Sequence, residues 1–237
     1  SCSTRTTTSS PRTTRPTGTP RRGLGSIPSP SENRIGQLHA YGLMIALGVL
    51  AAIELSARRW KARLGDPNDF WSIALWAVPA GLIGARVYHV ITDWKSYFPD
   101  EPLRAFEIWN GGLGIPGGII GGVGVGVYVA HRKGMRLSVG LDTVAPALPL
   151  AQAIGRIGNW FNQEVFGRPT DLPWGLEISP TRRPAAYESY STFHPTLLYE
   201  SLWCLAGFAF IVWADRRFQL GHGRVLALYV MVYTLGR

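Results

Sequence analysis

Long apolar runs broken by short polar linkers dominate the chain from residue 39 onward. A helix that crosses a bilayer needs about 20 mostly apolar residues. Six stretches meet or approach that length: residues 39–57, 70–92, 111–130, 141–160, 197–214 and 225 to the last residue. The pattern predicts an all-α, polytopic transmembrane helical bundle. No segment repeats another, which argues against the inverted-repeat architecture of many secondary transporters. Glycine crowds the third stretch, where Gly121, Gly122, Gly124 and Gly126 predict close approach of helices, because small residues let backbones pack tightly in lipid. Over residues 111–118, glycines together with Pro116 make a regular helix costly and predict a broken segment lodged against protein or a water-filled cavity.

Charge supports the membrane reading and gives it a direction. Only 16% of residues are charged, against about 25% in a soluble domain. Lys and Arg outnumber Asp and Glu by 24 to 15. The basic residues cluster in alternate linkers: Arg58, Arg59, Lys61 and Arg63, then Arg132, Lys133 and Arg136, then Arg216, Arg217 and Arg224. That is the arrangement expected of cytoplasmic loops, so it turns the net charge of +9 away from a nucleic-acid reading. Linkers 93–108 and 161–196 then face outward, and the proline-rich second one reads as a cap or small subdomain. Residues 1–34 are rich in Thr, Ser, Pro and Arg and lack the apolar core of a signal peptide, so they read as a disordered basic tail. Its arginines run against the orientation rule, and the three internal loops outweigh them. The transmembrane catalytic domain is expected over 35–237. Two cysteines, Cys2 and Cys204, exclude a disulfide framework, and no His or carboxylate spacing suggests a metal ligand set.

The fourth apolar stretch runs straight into Gly155-Arg156-Ile157-Gly158-Asn159-Trp160-Phe161-Asn162-Gln163-Glu164, followed by Gly167 and Arg168. Arginine at the centre of a spanning helix costs about 2.5–3.5 kcal/mol on insertion scales, so such residues are functional by default. A snorkelling Arg156 is the bland alternative, weakened by two asparagines and a glutamate in the same seam. Arg86 and Asp142 also lie in apolar stretches, where they are expected to pair with each other or with Glu200, and Cys204 reads as a packing residue.

The segment resembles the signature of the prolipoprotein diacylglyceryl transferases, G-R-x-G-N-F-x-N-x-E-x-x-G-R, with Trp160 in place of Phe. Other blocks match the same family: His39-Ala40-Tyr41-Gly42, Gly84-Ala85-Arg86, Trp109-Asn110-Gly111-Gly112, Asp142 with Ala145-Pro146, His194-Pro195 with Tyr199-Glu200, and Tyr233 with Arg237. The resemblance covers residues 27–237 and departs in two places. Pro116 stands before Gly117 and Gly118 where the family often has a catalytic His, and the family pattern adds a seventh span beyond the Arg that matches Arg237, so the chain is expected to be incomplete.

The resemblance implies a multi-pass enzyme of the bacterial cell membrane, inner or plasma, with its site toward the outer face. It would move a diacylglyceryl group from phosphatidylglycerol to the lipobox cysteine of a prolipoprotein signal peptide, with no cofactor. It assigns catalysis to Arg156, Arg237, Tyr41, Tyr233 and Asn159. Lipid binding falls to Arg156, Asn159, Asn162, Glu164, Gly167, Gly117 and Gly118. For the thiol proton the candidates stay open among His39, His194, Tyr41, Tyr233, Glu164, Asp142 and the lipid phosphate, and His39, His194 and Asp142 read equally as structural. The competing expectations are a lipid transporter or flippase that grips an anionic head group, and a membrane scaffold, which leaves the cost of Arg156 unexplained.

Overall fold

The computed structural model describes residues 26–30, 34–98, 102–107 and 111–237, with only the backbone described over 34–39. Most of the basic tail, the Trp109-Asn110 pair and the His39 side chain lie outside the described residues. The chain divides into two compact units.

The larger unit is helical: α1 (Arg34–Lys61), α2 (Asn68–Thr92), α3 (Ile115–Arg132), α4 (Leu137–Val144), α5 (Ala147–Asn162), α6 (Thr196–Phe218) and α7 (Arg224–Gly236). Helix occupies every apolar stretch expected from the sequence. Four segments are long and apolar enough to cross a membrane: Ala40–Lys61, Asn68–Thr92, Leu137–Asn162 and Thr196–Phe218. Leu75, Trp76, Ile83 and Ile91 of α2, with Ile119 and Ile120 of α3, stand exposed. An exposed apolar surface of that extent is suited to hydrocarbon rather than water.

Close backbone approach builds the α2–α3 pair. A Cβ added at Gly84 would run into the Gly117 carbonyl, and one added at Gly117 would meet the Gly84 carbonyl. Gly81 lies similarly against Gly118 and Gly122. The sequence placed a break over 111–118, but the structure confines it to the first part. Gly111 and Gly112 take positive φ of 85° and 73°, and α3 then starts at Ile115 with Pro116 in its first turn. Proline costs nothing there, because the N–H it lacks would have no intrahelical partner. Arg86 fastens the preceding loop. Its guanidinium donates to the carbonyls of Arg104, Ala105, Gly111 and Gly112 at 2.5–3.0 Å, so this buried cation is satisfied by backbone dipoles and not by Asp142 or Glu200.

The expected fourth span is two helices with a break at Ala145-Pro146. Pro146 has no N–H for the Asp142 carbonyl one turn back. Arg59 of α1 fills that role, donating to the carbonyls of Asp142 at 3.3 Å and Thr143 at 3.1 Å while pairing with Asp215 of α6 at 2.8 Å. The Asp142 side chain turns to α7, accepting the backbone N–H groups of Gly223, Val225 and Leu226 at 2.8, 3.1 and 3.2 Å. These are donors that a helix N-terminus leaves unpaired, at the positive end of its dipole. A fully buried carboxylate spent in this way is a cap, which removes Asp142 from the candidate bases.

The smaller unit contains residues 26–29 and Phe166–Pro195. Strands β1 (Leu176–Glu177) and β2 (Thr192–Phe193) pair antiparallel, with Leu176 opposite Phe193. Ile27 adds a parallel bridge to Leu176, and Leu176, Ile178 and Phe193 make the buried core. The outward linker of the sequence reading is therefore a small folded element that includes residues from the end of the tail.

Candidate active site

Three polar residues of α5, Gln152, Arg156 and Asn159, recur at spacings of four and three, which sets them on one helix face. The glycines between them serve packing. An added Cβ at Gly158 would sit 2.9 Å from the Tyr41 ring, and one at Gly155 would sit 3.5 Å from Ile45, so the motif's small residues admit α1 against α5. Asn162 is the last residue of α5, Gln163 turns the chain with φ of 52°, and Glu164 emerges exposed beyond it.

Arg156 reaches Glu200 of α6, with Nε 2.5 Å from Oε2, as an ion pair rather than an aligned hydrogen bond. Arg237, just past the end of α7, approaches the other oxygen of the same carboxylate, Nη1 to Oε1 at 3.1 Å. Three helical segments thus converge on one carboxylate held by two guanidiniums. Arg156 also points Nη1 at the Asn159 amide oxygen, 3.4 Å away, and Asn159 is buried. Ser201 Oγ donates to the Ala153 carbonyl at 3.0 Å, fixing the rotation of α6 against α5 that brings Glu200 to Arg156. On α7, Tyr229 and Tyr233 stack with ring centroids 5.9 Å apart, and Gln152 Nε2 donates to the Tyr229 hydroxyl at 2.9 Å.

Two clefts flank Arg156. One, with about 30 Å³ of internal space, is lined by Gln152, Arg156, Glu200, Trp203, Cys204, Tyr233, Gly236 and Arg237. The other, of about 340 Å³ between α1 and α5, is lined by Tyr41, Ile45, Gly48, Val49, Ala151, Gln152, Gly155, Arg156 and Asn159. The net positive guanidinium pair can hold a phosphate in planar, bidentate fashion and keeps its charge at any pH of interest. Among the described residues no group of three or more His, Cys, Asp or Glu side chains is placed to hold a metal ion.

Of the residues singled out from the sequence, Arg156, Arg237, Tyr233, Tyr41 and Asn159 thus line one cleft or the other. Gly117 and Gly118 do not join them: they form the α2–α3 contact, where neighbouring backbone fills the space a ligand would need. Gly167 and His194 belong to the smaller unit, where the Gly167 N–H donates to the His194 carbonyl at 2.8 Å. Asp142 caps the start of α7 whereas Arg237 follows its end, about 20 Å away at 1.5 Å per residue. Glu200 and Gln152 are the site residues whose roles the sequence did not reveal. A carboxylate in the run Leu197-Leu198-Tyr199-Glu200-Ser201-Leu202-Trp203 signals that some cation lies opposite, but not which one.

The family model described as prolipoprotein diacylglyceryl transferase matches residues 32–237. A phosphatidylglycerol–prolipoprotein diacylglyceryl transferase of Cutibacterium acnes is 52% identical over 227 residues, covering 93% of this chain and 76% of the relative. A second such enzyme, from Streptomyces coelicolor, is 52% identical over 221 residues, covering 90% of the chain and 69% of the relative. One from Corynebacterium glutamicum is 49% identical over 231 residues, covering 90% and 73%.

Proposed function

Because the chain belongs to the prolipoprotein diacylglyceryl transferase family, we propose that it transfers the diacylglyceryl group of phosphatidylglycerol to a prolipoprotein cysteine thiol. The observation that carries the mechanism is the convergence of Arg156 and Arg237, from different helical segments, on one anion.

In the reaction the cysteine sulfur attacks the glycerol carbon bonded to the phosphate oxygen. A carbon–sulfur bond forms, the carbon–oxygen bond breaks with its electron pair going to that oxygen, and glycerol phosphate leaves. Negative charge grows on the phosphate as the bond opens, so two fixed guanidiniums gain interaction energy in the transition state. Glu200 lies between them and orients both guanidiniums, leaving one net positive charge for the phosphate. Asn159, braced against Arg156, offers an amide to phosphate or glycerol oxygens. The thiol proton must also be taken up, since the thiolate is the nucleophile and a free Cys titrates at about 8.5. Tyr41 and Tyr233 each line a cleft with Arg156 and, with the lipid phosphate, are the candidates for assisting that proton transfer.

The bundle supports an outward-facing site. The basic ends of α1 and α6 meet through Arg59, Arg63 and Asp215, whereas Arg156 and Glu200 sit at the opposite ends of α5 and α6. With the basic ends retained in the cytoplasm, the site faces outward, where a lipobox cysteine arrives and lipid enters from the bilayer. The test is transfer in detergent from phosphatidylglycerol to a synthetic lipobox peptide, read as a diacylglyceryl adduct by mass spectrometry. Wild-type protein forms the adduct and Arg156→Ala, still folded, does not. Equal adduct from both removes Arg156 from the mechanism, and none from folded wild type overturns the reading.

A further inference from the structure

Gln152 carries an unfilled hydrogen-bonding position at the arginine site. Its side-chain nitrogen donates to the Tyr229 hydroxyl at 2.9 Å. Its oxygen, Oε1, is buried and has no partner. A buried acceptor without a donor costs about 1–3 kcal/mol, so one beside two clefts calls for an explanation. Gln152 lies one helical turn before Arg156 on the same face of α5, and it lines both clefts that Arg156 lines.

We propose that Gln152 Oε1 accepts a hydrogen bond from a hydroxyl of the lipid head group and so selects a hydroxyl-bearing anionic phosphodiester over other phospholipids. The proposal rests on the transferase reading of the same site. Arg156 and Arg237 against Glu200 leave one net positive charge, which favours an anionic lipid and repels the ammonium of a zwitterionic one. An oxygen that can only accept, placed a turn from the phosphate-binding guanidinium, adds the requirement for a neutral donor beside the phosphate. Sites that hydrogen-bond a substrate hydroxyl discriminate against analogues lacking it because the site's own polar atom is then stranded.

The experiment compares transfer from phosphatidylglycerol with transfer from phosphatidylmethanol, an anionic phosphodiester whose head group has no hydroxyl, using the full chain in detergent and the same lipobox peptide. Wild type prefers phosphatidylglycerol in kcat/KM. In Gln152→Met, close in size but without the acceptor, that preference falls about fivefold, through loss on phosphatidylglycerol alone. Gln152→Glu, which keeps an acceptor, retains the preference even where both rates drop. The proposal is overturned if wild type uses the two lipids equally, if Gln152→Met keeps the wild-type ratio, if Gln152→Met loses both lipids together, or if Gln152→Glu loses the preference as fully as Gln152→Met. In each of these cases wild-type transfer from phosphatidylglycerol leaves the transferase reading standing. Absence of wild-type transfer from either lipid sinks the transferase reading and this inference with it.

Discussion

Arg156→Lys keeps the positive charge and removes the geometry. Arg156 uses two edges of its guanidinium at once, Nε toward Glu200 at 2.5 Å and Nη1 toward the Asn159 amide oxygen at 3.4 Å. A lysine ammonium is a compact point charge on a flexible stem and cannot present two fixed directions together. Its attraction to a phosphate survives, but the bidentate, charge-assisted contact does not. One such contact is worth about 1.5–3 kcal/mol, which converts to a fall of roughly 10- to 150-fold in rate. Because the phosphate gains charge only as the carbon–oxygen bond opens, kcat and kcat/KM should fall together. The assay is steady-state transfer to the lipobox peptide over a range of phosphatidylglycerol concentrations, with variant and wild type matched for solubility and melting in detergent. A lysine enzyme with wild-type kcat would refute the reasoning, because fixed guanidinium geometry would then contribute nothing. A rise in KM at constant kcat would refute it differently, by assigning Arg156 to ground-state binding alone.

Asp142→Ala strands three backbone N–H groups at the start of α7, that of Val225 buried, and the thermal midpoint in detergent should drop markedly for a loss of about 3 kcal/mol. An unchanged midpoint would show that the cap does not hold α7. Gly117→Ala forces a methyl group onto the Gly84 carbonyl and the Tyr88 Cβ, and should destabilise by about 1–3 kcal/mol. Gly124→Ala, which meets nothing within 4 Å, should leave the midpoint unchanged or raise it, and equal effects at the two sites would refute the backbone-contact account.

The sequence by itself determined where the helices lie, because apolar length and linker chemistry are local properties of the chain. It also determined the family, through the polar segment that begins at Gly155-Arg156. Gly117 and Gly118, expected from the resemblance to contact lipid, lie in the α2–α3 contact, and the sequence could not tell the two apart because the same small residue serves a ligand approach or a helix approach equally well. Only the tertiary structure decided how the buried charges are partnered. Arg86, Asp142 and Glu200 all announced themselves as ionised groups in apolar stretches, and pairing Arg86 with Asp142 or Glu200 was the natural expectation. In the fold, Arg86 takes backbone carbonyls, Asp142 takes the N-terminus of α7, and Glu200 takes both Arg156 and Arg237. Partner choice depends on the rotation and axial shift of each helix against its neighbours. Those are set by contacts such as Gly48 against Ala151 and Ser201 against the Ala153 carbonyl, which join residues far apart in the chain and leave no trace in local pattern.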